Sequence, residues 1–278
     1  MLAFPVRKSF AVTLIVALGL VASAALAIPP RGERARARRV VIEDGTSVSV
    51  GRATRGRLRN PALLEESDWV RYRNGDERFR WGTDEMIGAL EQAGKHVSAE
   101  MPGSHLTVGD ISRERGGRFR PHRSHTAGRD VDIAFYINDE DGAAAYPERF
   151  VRFNGHGKSR ISDLGLVFDD ARNWELVSSL LTSGDVIVQY AFVSRALKRR
   201  LLREGRRRGA SEEVLARAET VLQQPPRGGR HDDHFHVRVY CDLGDKPTCR
   251  DRAPFHAWHP LAVDEARSLA SLDVLPAR

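Results

Sequence analysis

The chain has 278 residues, a formal net charge of +7 and two cysteines. A hydrophobic fraction of 41% excludes wholesale disorder. Two cysteines exclude a disulfide scaffold or a four-thiolate zinc finger, and the length fits one large domain or two small ones. Among the 44 basic residues only Lys8, Lys95, Lys158, Lys198 and Lys246 are lysines, so arginine carries the charge. Arginine suits bidentate recognition of carboxylates and phosphates, and it is also what a GC-rich genome supplies. A basic balance admits nucleic acid, an anionic lipid surface or a polyanionic wall polymer as partner.

Arg7 and Lys8 precede an apolar run from Ser9 to Ala24, and Ala25-Leu26-Ala27 is a small-x-small cleavage site. This is the layout of a secretory signal peptide over residues 1–27. The run is short for a membrane span of about 20 residues. Export would remove the chain from nucleic acid and permit a disulfide. No later segment offers a stable membrane insertion. Residues 28–49 read as a basic lead-in, arginine-rich over 28–39, and 50–278 as the folded domain.

Val40 to Val50 reads as a short strand pair turning at Asp44-Gly45, and residues 52–81 lack clear periodicity. A helix is predicted from Thr83, with Asp84 and Glu85 at its positive end and Ile87, Leu90, Ala93, Gly94 and Val97 at helical spacing. A strand from His105 to Ile111 and a loop with Gly116-Gly117 follow, then a strand from Asp130 to Ile137. Asp170 to Leu181 is a helix, and Asp185 to Val193 a strand. Two Arg-rich helices lie near Ser194–Glu204 and Ser211–Gln223, read as a solvated basic face. The last strand runs from His234 to Tyr240. Without strict βαβ alternation, the fold class is α+β. Cys241 and Cys249 flank a loop in which Gly244 and Pro247 permit a turn, so a local disulfide is expected.

The ten histidines are unevenly placed. His122 and His125 precede Asp130 and Asp132, while His231, His234 and His236 form a second group about 100 residues on. Residues i and i+2 of a strand share a face. His234 and His236 therefore point one way, with Phe235 and Val237 towards the core. They can supply one ligand and one proton-transfer group, or two ligands. Asp130 and Asp132 likewise share a face, and spacing does not choose between them. Gly128 can let the loop fold His125 over that strand. A His, Asp, His set with a fourth position open is the usual form of a catalytic zinc site, which activates water. His96, His105, His156, His256 and His259 lack such neighbours and receive no role.

The pattern His125-x6-Asp132 with His234-x-His236 downstream resembles the zinc signature of the group containing lysostaphin-type peptidases, D-alanyl-D-alanine metallopeptidases and the hedgehog signalling domain. The longer string narrows the resemblance. It comprises Val108-Gly109-Asp110-Ile111, Gly116-Gly117-Arg118-Phe119, His122-x-x-His125, Gly128-x-Asp130-Val131-Asp132-Ile133 and His231-x-x-His234-Phe235-His236-Val237-Arg238, with a cysteine pair just after. That string is similar to penicillin-insensitive murein endopeptidases, over residues 50–252 or so.

The resemblance implies an α+β fold with a central antiparallel sheet flanked by helices. It implies periplasmic cleavage of peptide cross-links in peptidoglycan, of the D-alanyl–meso-diaminopimelate type. By motif match one Zn²⁺ is held by His125, Asp132 and His236. His234 is then the non-ligand histidine, a base towards water or a transition-state stabiliser, and His231 is its helper or the base itself. A second metal in that family can use the histidine matching His122 together with an Asp-x-x-His. Between residues 140 and 200 the nearest spacing here is Asp169-x-x-Arg172, so His122 is read as a hydrogen-bonded neighbour of the centre. The alternatives are a D,D-carboxypeptidase acting on stem peptides and a catalytically silent wall-binding module. Oligomeric state is not legible in the sequence.

Overall fold

The computed structural model describes residues 46–73, 77–161, 164–225 and 229–260. The expected signal peptide, most of the expected basic lead-in and the turn expected at Asp44-Gly45 lie outside the described residues. The strand pair sits later in the chain: β1 (Val48–Arg52) and β2 (Arg55–Arg59) form an antiparallel hairpin with Val48 opposite Arg59. The segment 52–81, where no periodicity is legible, also holds β3 (Ala62–Leu63), β4 (Val70–Tyr72) and β5 (Trp81–Gly82). Strands of two or three residues are too short to display a period.

Helix α1 (Asp84–Glu100) starts where the sequence places it. The Thr83 hydroxyl accepts from the Met86 backbone N–H, which satisfies one of the unpaired donors of the first turn. Met86, Ile87, Leu90, Ala93, Gly94 and Val97 form its buried face. After it come β6 (Leu106–Val108), β7 (Asp130–Ala134), β8 (Ile137–Asn138), β9 (Ala144–Ala145) and β10 (Val167–Phe168). The rest is α2 (Asp170–Thr182), β11 (Val188–Phe192), α3 (Arg195–Arg207), α4 (Glu212–Val221), β12 (Leu222–Gln223) and β13 (His234–Val239). The class is α+β. Among the described residues, no helix is long and apolar enough to cross a membrane.

The main sheet has six strands in the order β12-β11-β13-β7-β6-β4. Its four central strands are antiparallel, while β12 and β4 join the edges in parallel. The register of β7 and β13 positions the site. Asp132 lies directly opposite His236, Asp130 opposite Arg238 and Ala134 opposite His234. The alternate residues Val131, Ile133, Phe235, Val237 and Val239 are buried in the core. Leu176, Val177 and Leu180 of α2 meet Val188, Phe235 and Val237 on that face. A slip of one residue would exchange the two faces and drive His234 and His236 into the core, so hydrophobic burial fixes the register of the polar residues.

Beyond β13 the expected disulfide is present: Cys241 and Cys249 are bonded, with both cysteines buried. The loop it closes is tied to β1, since Ser49 N–H donates to Asp245 Oδ2 at 2.7 Å and Gly51 N–H to the Thr248 carbonyl at 2.9 Å.

Candidate metal centre

β7 and β13 present Asp130, Asp132, His234, His236 and Arg238 on the sheet face away from the helices, and a loop folds His122 and His125 over them. The loop bends at Gly128, where φ is +74°. A Cβ there would meet Leu58 at 2.9 Å and the Thr83 backbone nitrogen at 3.0 Å, so the turn needs glycine. Of three non-glycine residues with positive φ among the described residues, two are His125 (+60°) and His231 (+50°). Strain at sparsely populated backbone angles gathers at functional sites, and here it falls on two candidate histidines.

Three atoms converge at the centre. His125 Nε2 lies 3.2 Å from His236 Nδ1 and 3.3 Å from Asp132 Oδ1, and His236 Nδ1 lies 3.0 Å from Asp132 Oδ1. The remaining ring nitrogens set the tautomers. His125 Nδ1 is 2.8 Å from the Ile111 carbonyl, which can only accept, so Nδ1 carries the proton and Nε2 a lone pair. His236 Nε2 is 3.0 Å from Asp130 Oδ1, so that nitrogen donates and Nδ1 is the one that can offer a lone pair to a metal. Two imidazole lone pairs and a carboxylate oxygen thus face one another in a buried space, an arrangement that repels unless a cation sits among them. Ligands 2.0–2.1 Å from a tetrahedral zinc are separated by roughly 3.3 Å, close to the three distances found. The donor set fits a divalent metal ion.

The electrostatics agree. Burial raises the Asp132 pKa, but the charge and hydrogen bond of His125, the hydrogen bond of His236 and the charge of His234 outweigh it and hold the carboxyl well below its usual range. Arg238 and His236 overcome burial in the same way at Asp130. Burial disfavours charge on His236, yet Asp130 and Asp132 push its pKa up to about 9. Without metal, the site draws in a proton instead.

Asp130, fully buried, accepts from His236 Nε2 and from Arg238 Nε at 2.8 Å, and Arg238 Nη2 makes an ion-pair contact to it at 2.7 Å. Its Oδ2 has no partner. The ambiguity between the two aspartates thus resolves by geometry: Asp132 faces the centre, and Asp130 fixes the tautomer and orientation of His236 from behind.

His122 stands beside the cluster, its ring 4.2 Å from that of His125. Its Nε2 is 2.7 Å from Asp110 Oδ2 and its Nδ1 3.6 Å from Asp132 Oδ2. His122, His125 and Asp132 offer ligand atoms all within 4.8 Å of one another and could hold a metal ion. The convergence of His125, Asp132 and His236 is the tighter of the two groupings, and they share two members. Asp169 and Arg172 are engaged with each other at 2.7 Å, where Asp169 caps α2.

His234 lies on the more open side, with Nε2 3.6 Å from Asp132 Oδ1. Asp233 Oδ1 is 2.7 Å from its Nδ1 but out of line for a hydrogen bond. Phe150 stacks on its ring at 4.5 Å, and Arg73 covers Phe150 at 4.3 Å. His231 lies 5.2 Å from His234, ring to ring, and its Nδ1 donates to the Gly229 carbonyl at 3.0 Å, leaving Nε2 as an acceptor. Burial, then the charge of His234, lowers the His231 pKa. Phe192 of β11 stacks on His236 at 5.5 Å.

Asp110, Phe150 and Phe192 have no role in the sequence reading. Asp110 sits in a quoted motif without metal-ligand spacing, and an isolated phenylalanine carries no signal of which ring it will meet.

The fold is an α+β sheet that carries a His/Asp cluster able to hold a metal ion on its helix-free face. No curated protein matches the chain. The family model for penicillin-insensitive murein endopeptidase matches residues 49–260, and the chain belongs to that family. Murein endopeptidase activity on peptidoglycan is therefore its functional class.

Proposed function

We propose that the chain is a zinc-dependent endopeptidase that cuts the D-alanyl–meso-diaminopimelate cross-link of peptidoglycan in the periplasm. The observation that carries the reading is the convergence of three ligand atoms from His125, Asp132 and His236 at 3.0–3.3 Å. These residues would hold Zn²⁺ in a buried three-ligand set. When bound, the metal supplies Lewis acidity, lowering the pKa of water and polarising the scissile carbonyl.

The chain's own groups do the rest. His125 is fully buried and His236 nearly so, whereas His231 and His234 are partly exposed, so substrate approaches over the latter pair. A small depression lined by Tyr146, Phe150 and Asp233 lies beside them. His231, kept neutral by burial with Nε2 free, accepts the proton of the attacking water. His234 lies between Asp132 and Asp233, with ring nitrogens 3.6 and 2.7 Å from their oxygens. It donates to the oxygen that becomes negative in the transition state. Residues 1–27 serve as an export signal, a reading supported by the disulfide, which persists in oxidising compartments.

The test is incubation of purified protein with soluble cross-linked muropeptide dimers. Conversion of dimer to monomer is expected. Shortening of monomer stems alone would make the protein a D,D-carboxypeptidase, and no hydrolysis by metal-loaded protein would make it a silent binding module.

A further inference from the structure

Helix α3 divides its basic residues into two sets. Lys198 pairs with Glu219 at 2.9 Å, Arg200 with Asp170 at 2.5 Å, Arg207 with Glu204 at 2.5 Å and Arg208 with Glu175 at 2.7 Å. Arg195, Arg199, Arg203 and Arg206 are exposed and form no ion pair among the described residues, although Arg203 adds to the positive field at Glu204. At 100° per residue these four fall within an arc of roughly 80°, a single stripe about 16 Å long.

Folding does not account for the stripe. Like charges at i and i+4 repel, and Arg195 in the first turn opposes the positive end of the helix dipole; only Arg206, in the last turn, is favourably placed for the dipole. No acidic residue occupies that turn to offset it. The helix is held to the protein by another face, through buried Leu197, Leu201, Leu202 and Gly205. The stripe starts at the catalytic edge. Ser194, the cap of α3, donates its backbone N–H to the His231 carbonyl at 2.8 Å, and Phe192 lies 5.6 Å from the His231 ring. On the other side of this loop, Arg152 and Arg160 bond to buried Asp232 at 2.9 and 3.0 Å. Both guanidinium groups remain partly exposed there.

We infer that Arg195, Arg199, Arg203 and Arg206 form a docking track for the carboxylate-bearing peptidoglycan polymer itself, holding insoluble substrate while a cross-link enters the site. The occupant follows from charge complementarity: guanidinium groups in a row beside the site meet a mesh whose stem peptides carry free carboxylates. The inference rests on the peptidoglycan-cutting reading of the centre.

The test is co-sedimentation of the full chain with purified peptidoglycan sacculi. Wild-type protein is expected to pellet, and to be released as salt is raised from about 50 to 500 mM, where screening shortens the reach of exposed charges. R195Q/R199Q/R203Q/R206Q should pellet at least tenfold less, and R199Q/R203Q to an intermediate degree. Sacculi with amidated carboxylates should bind wild-type protein as poorly as normal sacculi bind the quadruple variant. Because the stripe opposes helix formation, the quadruple variant should melt no lower than wild type.

Undiminished pelleting of the variant, or equal binding to amidated sacculi, overturns the inference. So does a lower melting temperature, which would give the arginines a folding role. Arginine-dependent binding to phosphatidylglycerol vesicles without binding to sacculi would assign the stripe to a membrane. Failure of wild-type protein to cleave soluble dimers would sink the catalytic reading instead, and the pelleting result would stand separately.

Discussion

His236 and Asp132 lie directly opposite each other on neighbouring strands, with Nδ1 and Oδ1 3.0 Å apart. Their placement needs no loop. It follows from the antiparallel register of β7 and β13, which the burial of Val131, Ile133, Phe235 and Val237 enforces. Only His125, the third member, depends on a loop, and that loop is held by Gly128 and by the bond from His125 Nδ1 to Ile111.

Metal removal should abolish activity. Treatment with a strong chelator is expected to stop dimer cleavage, and added Zn²⁺ to restore it with one equivalent bound. Full activity in the metal-free protein would refute the centre. Asp132→Ala or His236→Ala should give protein that folds but binds no zinc at micromolar concentrations.

Asp130→Ala should behave differently from Asp132→Ala. It leaves the three converging atoms in place but frees the His236 ring to choose its tautomer. Zinc affinity is expected to fall by about 10- to 100-fold. Asp130→Asn, which keeps an acceptor for Nε2, should recover part of the loss. If titration calorimetry finds unchanged affinity in both variants, Asp130 is not orienting His236.

His234→Ala should keep its metal and lose turnover. Removing a positioned proton-transfer or oxyanion-stabilising group costs about 10²- to 10⁴-fold in rate. Zinc content by elemental analysis, set beside kcat, separates the roles. A metal-free His234→Ala protein would make His234 a ligand.

Replacing Cys241 and Cys249 with serine should lower thermal stability without touching the centre. Closing a loop of this length is worth about 2.5 kcal/mol in the chain-entropy account. For a domain of this size that corresponds to a Tm lower by roughly 5–10 °C. Calorimetry of the double variant and of reduced wild-type protein should agree. An unchanged Tm would show that contacts such as Ser49 to Asp245 hold the loop without the bridge.

The sequence by itself determined the elements whose patterns repeat and the chemistry whose residues cluster. α1 is legible in its cap and its apolar spacing, and β7 and β13 in their alternation. The paired histidine and aspartate groups name the ligand types, because i and i+2 on a strand share a face whatever the fold. Tertiary structure decided the rest, since it depends on contacts between distant segments. Asp130 and Asp132 are equivalent by spacing, and only the pairing of β7 with β13 and the entry of His125 put Asp132 at the centre and Asp130 behind His236. Phe150, Phe192 and Asp110 join the site through folds of the chain that leave no local pattern. The arginines along α3 look alike in sequence, and only packing beside Asp170, Glu175 and Glu204 separates the neutralised ones from the four left facing solvent.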